Sequence, residues 1–195
     1  MIAFSSCNPN AAPEIGRNQD AAVSSWIHVF DLINVGTESD PPTVKSLVEK
    51  CAAAEDWACI INADIIVKKD FRRVEDKLRW NQAQCAVSGR YEFDPDNDLY
   101  APRLNDLGMD IFCAVPEVWK RVAQDIPDKF RLGHILWDAW LLGYWNTNYG
   151  ETFYDFTPAK VIYHPKHGNR GDNSMDESLQ TYPLTKLHLP PLKIY

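Results

Sequence analysis

The sequence predicts a single α/β domain, a mostly parallel central sheet flanked by helices. Three observations carry this prediction. Short β-rich apolar segments alternate along the chain with amphipathic helical ones, the pattern of an α/β layer. One strand segment, CIINADIIV (59–67), is almost continuously apolar, as a strand covered on both faces must be. The chain has 195 residues, 45% hydrophobic and 12% aromatic, which suits one core without a disulfide or metal staple.

The elements follow in order. Residues 2–4 form a short strand that runs into the polar loop Ser5, Ser6, Cys7, Asn8 and Pro9. Residues 19–26 read as a short helix, and IHVFDLINV (27–35) as a second strand ending at Gly36. Pro41 and Pro42 open a helix over TVKSLVEKCAAA, since proline is tolerated where the first N–H groups lack partners anyway. After the 59–67 strand, residues 70–82 place Phe71, Val74 and Leu78 on one side of an amphipathic helix. CAVSGRYEF (85–93) is a strand, 94–106 a polar excursion rich in Asp, Asn and Pro, and GMDIFCAV (108–115) a further strand. Pro116 starts a helix, LWDAWLLGYW (136–145) is a strongly aromatic one, and KVIYHP (160–165) is the last strand. Residues 1–171 make the domain and 172–195 a polar tail or flap. There is no internal repeat and no linker.

Net charge −7 and pI 5.2 argue against a bare polyanion as the main partner. Five scattered cysteines without a CxxC pair read as buried reduced thiols. No basic leader and no apolar run of membrane length is present, so a cytoplasmic location is expected.

Four places carry chemistry. Asp64 interrupts an apolar strand, and an unpaired buried carboxylate is costly. At the strand's carboxyl end it can hold a divalent cation, or simply cap the next turn. Asn62, two residues earlier and on the same face of a strand, can hydrogen-bond a ribose hydroxyl or a metal-bound water. His164 and His167 flank Pro165 and Lys166; two imidazoles three apart can share one ion, with Lys166 and Arg170 as cations for a diphosphate. Asp138 is the one carboxylate in an otherwise apolar helix, either a first-turn anion on the helix dipole or a general base. Asp110, in GMDIF, is a similar case on a strand.

Taken together, the strand with Asn62-Ala63-Asp64, GMDIFCAVP (108–116), IPDKFRLGHILWDAWLL (126–142) and FYDFTPAKVIYHPKHGN (153–169) resemble small bacterial and phage proteins of the GT-A glycosyltransferase-like, nucleotide-diphospho-sugar transferase superfamily. The resemblance covers roughly residues 2–170. It implies a Rossmann-like GT-A fold, a metal-dependent glycosyltransferase, a nucleotide-diphosphate sugar such as a UDP-sugar as donor, and Mn²⁺ or Mg²⁺. Asn62 and Asp64 match the metal–nucleotide motif, with Asn at its first acidic position. Asp110 and Asp138 match acidic positions facing sugar or acceptor, and His164 and His167 the closing histidines. His134 stands where Arg is frequent, and Ala139 where Asn is usual. Ligands of such sheets lie beyond the strands' carboxyl ends, which nominates Ser5, Ser6, Asn8 and Arg17 for the nucleotide.

No GxGxxG, GxxxxGK[ST] or GxSxG occurs, which disfavours dinucleotide oxidoreductases, P-loop enzymes and α/β-hydrolases. The expected acceptor is a glycan or other hydroxyl compound. Two alternatives stand beside this: a phage-type enzyme acting on hydroxymethylated DNA bases, and a catalytically silent nucleotide-sugar-binding domain.

Overall fold

A computed structural model describes residues 1–37, 42–96, 102–132 and 136–167; the side chains of 105–108 are outside that description, and so are His134, Arg170 and the expected tail. The elements run β1 (Ile2–Ser6), α1 (Pro13–Trp26), β2 (Leu32–Gly36), α2 (Val44–Ala52), β3 (Ala58–Ile61), β4 (Ile66–Val67), α3 (Phe71–Trp80), β5 (Cys85–Phe93), β6 (Arg103–Ala114), α4 (Pro116–Asp125), α5 (Trp137–Tyr149), β7 (Phe153–Asp155) and β8 (Ile162–Pro165).

The strands form one sheet in the order β2-β1-β3-β6-β5-β8-β4, with β7 beside the first half of β5. β1 pairs in parallel with β2 and β3, and β5 with β7 and β8. β6 is inserted antiparallel between β3 and β5, and β4 runs antiparallel to β8. Hence β1, β2, β3, β5, β7 and β8 all point one way. Their carboxyl ends share one edge of the domain, and β6 enters from that edge with Asp110 near its arrival.

Helices cover both faces, as the continuous apolar strands require. Phe4, Ile60, Val87 and Phe112 face α2, α4 and α5, whereas Ala3, Cys59, Ala86 and Cys113 face α1 and α3. Along β3 the alternation is strict, because successive strand residues point to opposite faces. The helix α5 buries Trp137, Trp140, Leu141, Tyr144, Trp145 and Tyr149, while Asn146, Thr147 and Asn148 near its carboxyl end are exposed. Trp145 is fully enclosed by Phe112, Trp119 and Phe153, with ring centroids 5.2–5.6 Å apart. Trp137 and Trp140 are also core, packing on Phe112 and on Phe130 and Tyr144. Four cysteines are buried free thiols and Cys7 is half-buried.

Four local readings are corrected. The segment 59–67 is not one strand: the chain turns between β3 and β4, with the Ile65 N–H donating to the Asn62 carbonyl. Asn62 and Asp64 are therefore in a turn, and strand alternation does not put them on one face. The first half of 27–35 is a turn, and α1 begins at Pro13, six residues before the expected helix. The strand β6 starts at Arg103, inside the expected excursion, because β5 extends far enough to pair with it.

Candidate functional site

The turn after β3 exists because apolar pairing stops at Ile61, whose cross-strand partner is Ile111. The next residue of β6, Asp110, receives Asn62 twice. The Asn62 backbone N–H donates to the Asp110 carbonyl at 3.1 Å, and its side-chain amide to Asp110 Oδ1 at 2.7 Å. Asp110 is 1% exposed and would be prohibitive as a lone charge. Arg90, on β5, resolves this: Nη1 lies 2.9 Å from both carboxylate oxygens, and the same guanidinium reaches Glu92 at 3.3 Å. Burial works to lower the Arg90 pKa, but Asp110 and Glu92 outweigh it and hold the group above its usual value.

Glu92 stands in register with His164 on the neighbouring strand β8. His164 Nε2 and His167 Nε2 lie 3.4 and 3.3 Å from Asp64 Oδ2. The potential ligand atoms of the three residues all fall within 4.8 Å of one another. Two donors bound to one first-row ion at about 2.1 Å sit about 3.0–3.4 Å apart, so the grouping has the dimensions of a coordination site. Asp64 and His164 are buried, and the His164 and His167 rings lie 4.9 Å apart, tilted by 55°. His164 Nδ1 is buried without a hydrogen-bond partner among the described residues. One carboxylate oxygen and two imidazoles fit Mn²⁺, Fe²⁺, Co²⁺ or Zn²⁺ better than all-oxygen Mg²⁺.

Asp138 is the second residue of α5, whose N-cap, Leu136, sits in the left-handed region at φ 82°. Its carboxylate accepts from the Ala139 backbone N–H at 2.9 Å. Burial is the main cause that pushes its pKa up to about 6; the Ala139 N–H opposes, the Asp110 charge adds to the rise, and Arg90 opposes. Asp110 and Arg90 therefore lie within electrostatic reach of Asp138, while Asp110 itself is committed to Arg90 and Asn62.

The structure thus brings Asn62, Asp110 and Asp138 together around Arg90, and Asp64, His164 and His167 together beside it. The loop after β1 borders the same site, since Asp64 is among the charges that, after burial and Asp20, raise the Cys7 pKa. Ser5 is not in the loop as expected but in β1, which runs on to Ser6; it is 1% exposed and its hydroxyl donates to the Ile61 carbonyl, fastening β1 to β3. Ser6 is half-buried, and Asn8 closes a local turn by accepting from the Asn10 N–H. Arg17 is exposed on α1, and Lys166 is exposed beside the histidines, its N–H bonded to the Phe93 carbonyl. Arg90 and Glu92 were not singled out from the sequence. The one available signal was a cation and an anion two apart within an otherwise apolar strand.

No protein-family model matches the sequence, and no curated protein matches it significantly. Among solved structures, the chain is similar to a Bacillus anthracis protein assigned as a glucose-1-phosphate thymidylyltransferase, crystallised with sucrose. That likeness has 11% identity and TM-score 0.42, and covers 78% of this chain and 67% of that one. It is also similar to a glycosyltransferase involved in glycosylation of the major capsid of PBCV-1, at 9% identity and TM-score 0.44, over 84% of this chain and 92% of that one. At such identities each likeness concerns the path of the backbone and not the residues on it.

Proposed function

We propose that this chain transfers a sugar from a nucleotide-diphosphate sugar, in the first place a UDP-sugar, to a hydroxyl acceptor. A divalent ion, Mn²⁺ before Mg²⁺, would be held by Asp64, His164 and His167. The observation that carries the proposal is the convergence of these three side chains at the strands' carboxyl ends, where α/β sheets bind ligands. When bound, such an ion supplies positive charge opposite a diphosphate leaving group.

The chain's own residues do the rest. Lys166 adds a cation at the rim of the site. Ser6 ends β1, and Asn8 and Arg17 lie on the loop and helix that follow it, where the nucleotide would rest, while Ser5 ties β1 to β3. Asp138 is the proton acceptor for the attacking hydroxyl: its pKa of about 6 leaves it ionised at neutral pH yet basic enough to take a proton. Asp110 is a positioning residue. With Arg90 it orients the Asn62 amide and sets the field in which Asp138 titrates.

A second reading, a silent nucleotide-sugar-binding domain, has one observation in its favour. Asn62 replaces a carboxylate and spends its amide on Asp110, leaving the ion one protein oxygen. A panel of nucleotide sugars with and without Mn²⁺, followed by thermal shift and by nucleotide release, separates these. Mn²⁺-dependent stabilisation with release supports transfer, stabilisation without release supports the silent domain, and neither sinks the proposal.

A further inference from the structure

Cys59 and Cys113 stand directly opposite each other on β3 and β6. Both are fully buried, and both side chains point to the sheet face covered by α1 and α3. An antiparallel ladder alternates between pairs that exchange hydrogen bonds and pairs that do not. Two bonds fix which kind this pair is. The Asn62 N–H donates to the Asp110 carbonyl, so that pair, three steps along the same ladder, is a bonded one. Just past the end of β6, the Val115 N–H donates the other way, to the Gln84 carbonyl beside β5. Odd-numbered residues at this end of β6 therefore turn their peptide groups to β5, and even-numbered ones to β3. Cys59 and Cys113 are thus a non-hydrogen-bonded pair, the kind whose Cα atoms come within about 4.5 Å and whose side chains stand closest.

A disulfide needs Cα atoms about 4.4–6.8 Å apart and side chains that do not point away from each other. This pair meets both conditions without movement of the backbone. Its thiols are already in contact: burial pushes the Cys113 thiol well above its usual pKa, and a hydrogen bond with Cys59 adds to the rise. No other two of the five cysteines are so placed. Cys51, on α2, and Cys85, across from Ala114, belong to the core on the opposite face, and Cys7 follows the end of β1.

We propose that Cys59 and Cys113 are a redox-sensitive staple, two thiols under reducing conditions and a cross-strand disulfide under oxidising ones. The oxidant is a small disulfide such as oxidised glutathione. One cysteine, as thiolate, attacks a glutathione sulfur, the S–S bond breaks and one glutathione thiolate leaves. The second cysteine then attacks the protein sulfur of the mixed disulfide and displaces the other glutathione. The protein gives up two electrons and two protons, which end on two glutathione thiols. Closure takes place while the chain folds or opens, because the thiolate is the reactive form and a buried thiol of raised pKa is inert. In a reducing compartment the pair stays open except under oxidative load. Its position couples the staple to the candidate site. Cys59 is three residues before Asn62 and Cys113 three after Asp110, so the bond locks the strand register that seats Asn62 on Asp110.

The test refolds the full chain from denaturant in a glutathione buffer rich in the oxidised form and, in parallel, with a phosphine reductant. No sugar donor or metal is added, so the result is independent of the proposed transfer. Mass spectrometry of a digest made without reductant should find the peptide of Cys59 joined to that of Cys113 in the oxidised sample only. The bond encloses the 53 residues 60–112, and the oxidised chain should melt about 5–15 °C higher than the reduced one. Cys113→Ala should melt at the same temperature in both buffers. If that variant does not fold, the peptide map and the two wild-type melts decide alone. Four results would overturn the inference. They are no joined peptide in the oxidised protein, a bond that joins another two cysteines in preference, a joined chain that melts no higher than the reduced one, and an equal rise in Cys113→Ala, which would assign the effect to other thiols.

Discussion

Replacing Asp138 by asparagine removes one charge and almost no volume. The ionised carboxylate is held at a cost, since its pKa rises from 3.8 to about 6 on folding, chiefly through burial and with Asp110 adding to it. That rise corresponds to about 3 kcal/mol against the folded state once the group is charged. The sign follows from proton uptake. Between about pH 4 and pH 6 the folded chain holds a proton that the unfolded chain has released, so stability from this group is present below pH 4 and lost as pH climbs through 6. Asp138→Asn escapes the loss, and its Oδ1 can still accept from the Ala139 N–H. Part of the gain is spent on the new amide N–H₂ and on the weaker attraction for Arg90. We expect a net stabilisation of about 1–3 kcal/mol at pH 7.5, a rise in Tm of roughly 3–10 °C, and no difference at pH 4. Turnover should fall about 10²–10⁴-fold with donor affinity unchanged. Wild-type kcat/KM should rise with pH through about 6, and the residual activity of the variant should lack that step. Thermal melts at the two pH values and a nucleotide-release assay measure all of this. A variant destabilised at pH 7.5 would show that the carboxylate supports the fold, and one that turns over normally would place the base elsewhere.

Three further outcomes are expected. Asp64→Ala should abolish Mn²⁺-dependent donor binding in calorimetry while the protein stays folded, and His164→Ala or His167→Ala should each weaken Mn²⁺ affinity at least about tenfold; unchanged affinity in all three would remove the metal assignment. Arg90→Met strips the partner from a carboxylate that is 1% exposed, so denaturant unfolding should show a loss of about 3 kcal/mol or more, restored in large part by adding Asp110→Asn. Trp145→Ala empties the space between Phe112, Trp119 and Phe153 and should cost about 3–5 kcal/mol without changing the ratio of donor binding to turnover in the folded fraction.

The residues that converge at the candidate site were legible wherever a polar residue interrupts an apolar run. Asp64, Asp138 and His164 stand out in the sequence because desolvating such groups is costly enough that each needs a reason to be there. The alternation of strands and helices, the two-sided burial of the sheet and the strand-end position of residues 5–8 and 62–64 were legible for similar reasons, being local and periodic. Arg90 and Glu92 were not. In RYEF they read as the outward half of an ordinary strand, and their meaning depends on β6 lying antiparallel beside β5, which sets Arg90 against Asp110, and on β8 lying parallel on the other side, which puts His164 opposite Glu92. The same holds for Trp137 and Trp140, whose burial was decided by what covers α5. It holds too for Asn62, which a turn separates from Asp64 and hands to Asp110. By itself the sequence determined which residues must escape an apolar environment, since that cost belongs to each residue and its neighbours in the chain. Only the tertiary structure decided which partners they escape to, because cross-strand register joins residues 20 to 100 positions apart and no local pattern encodes it.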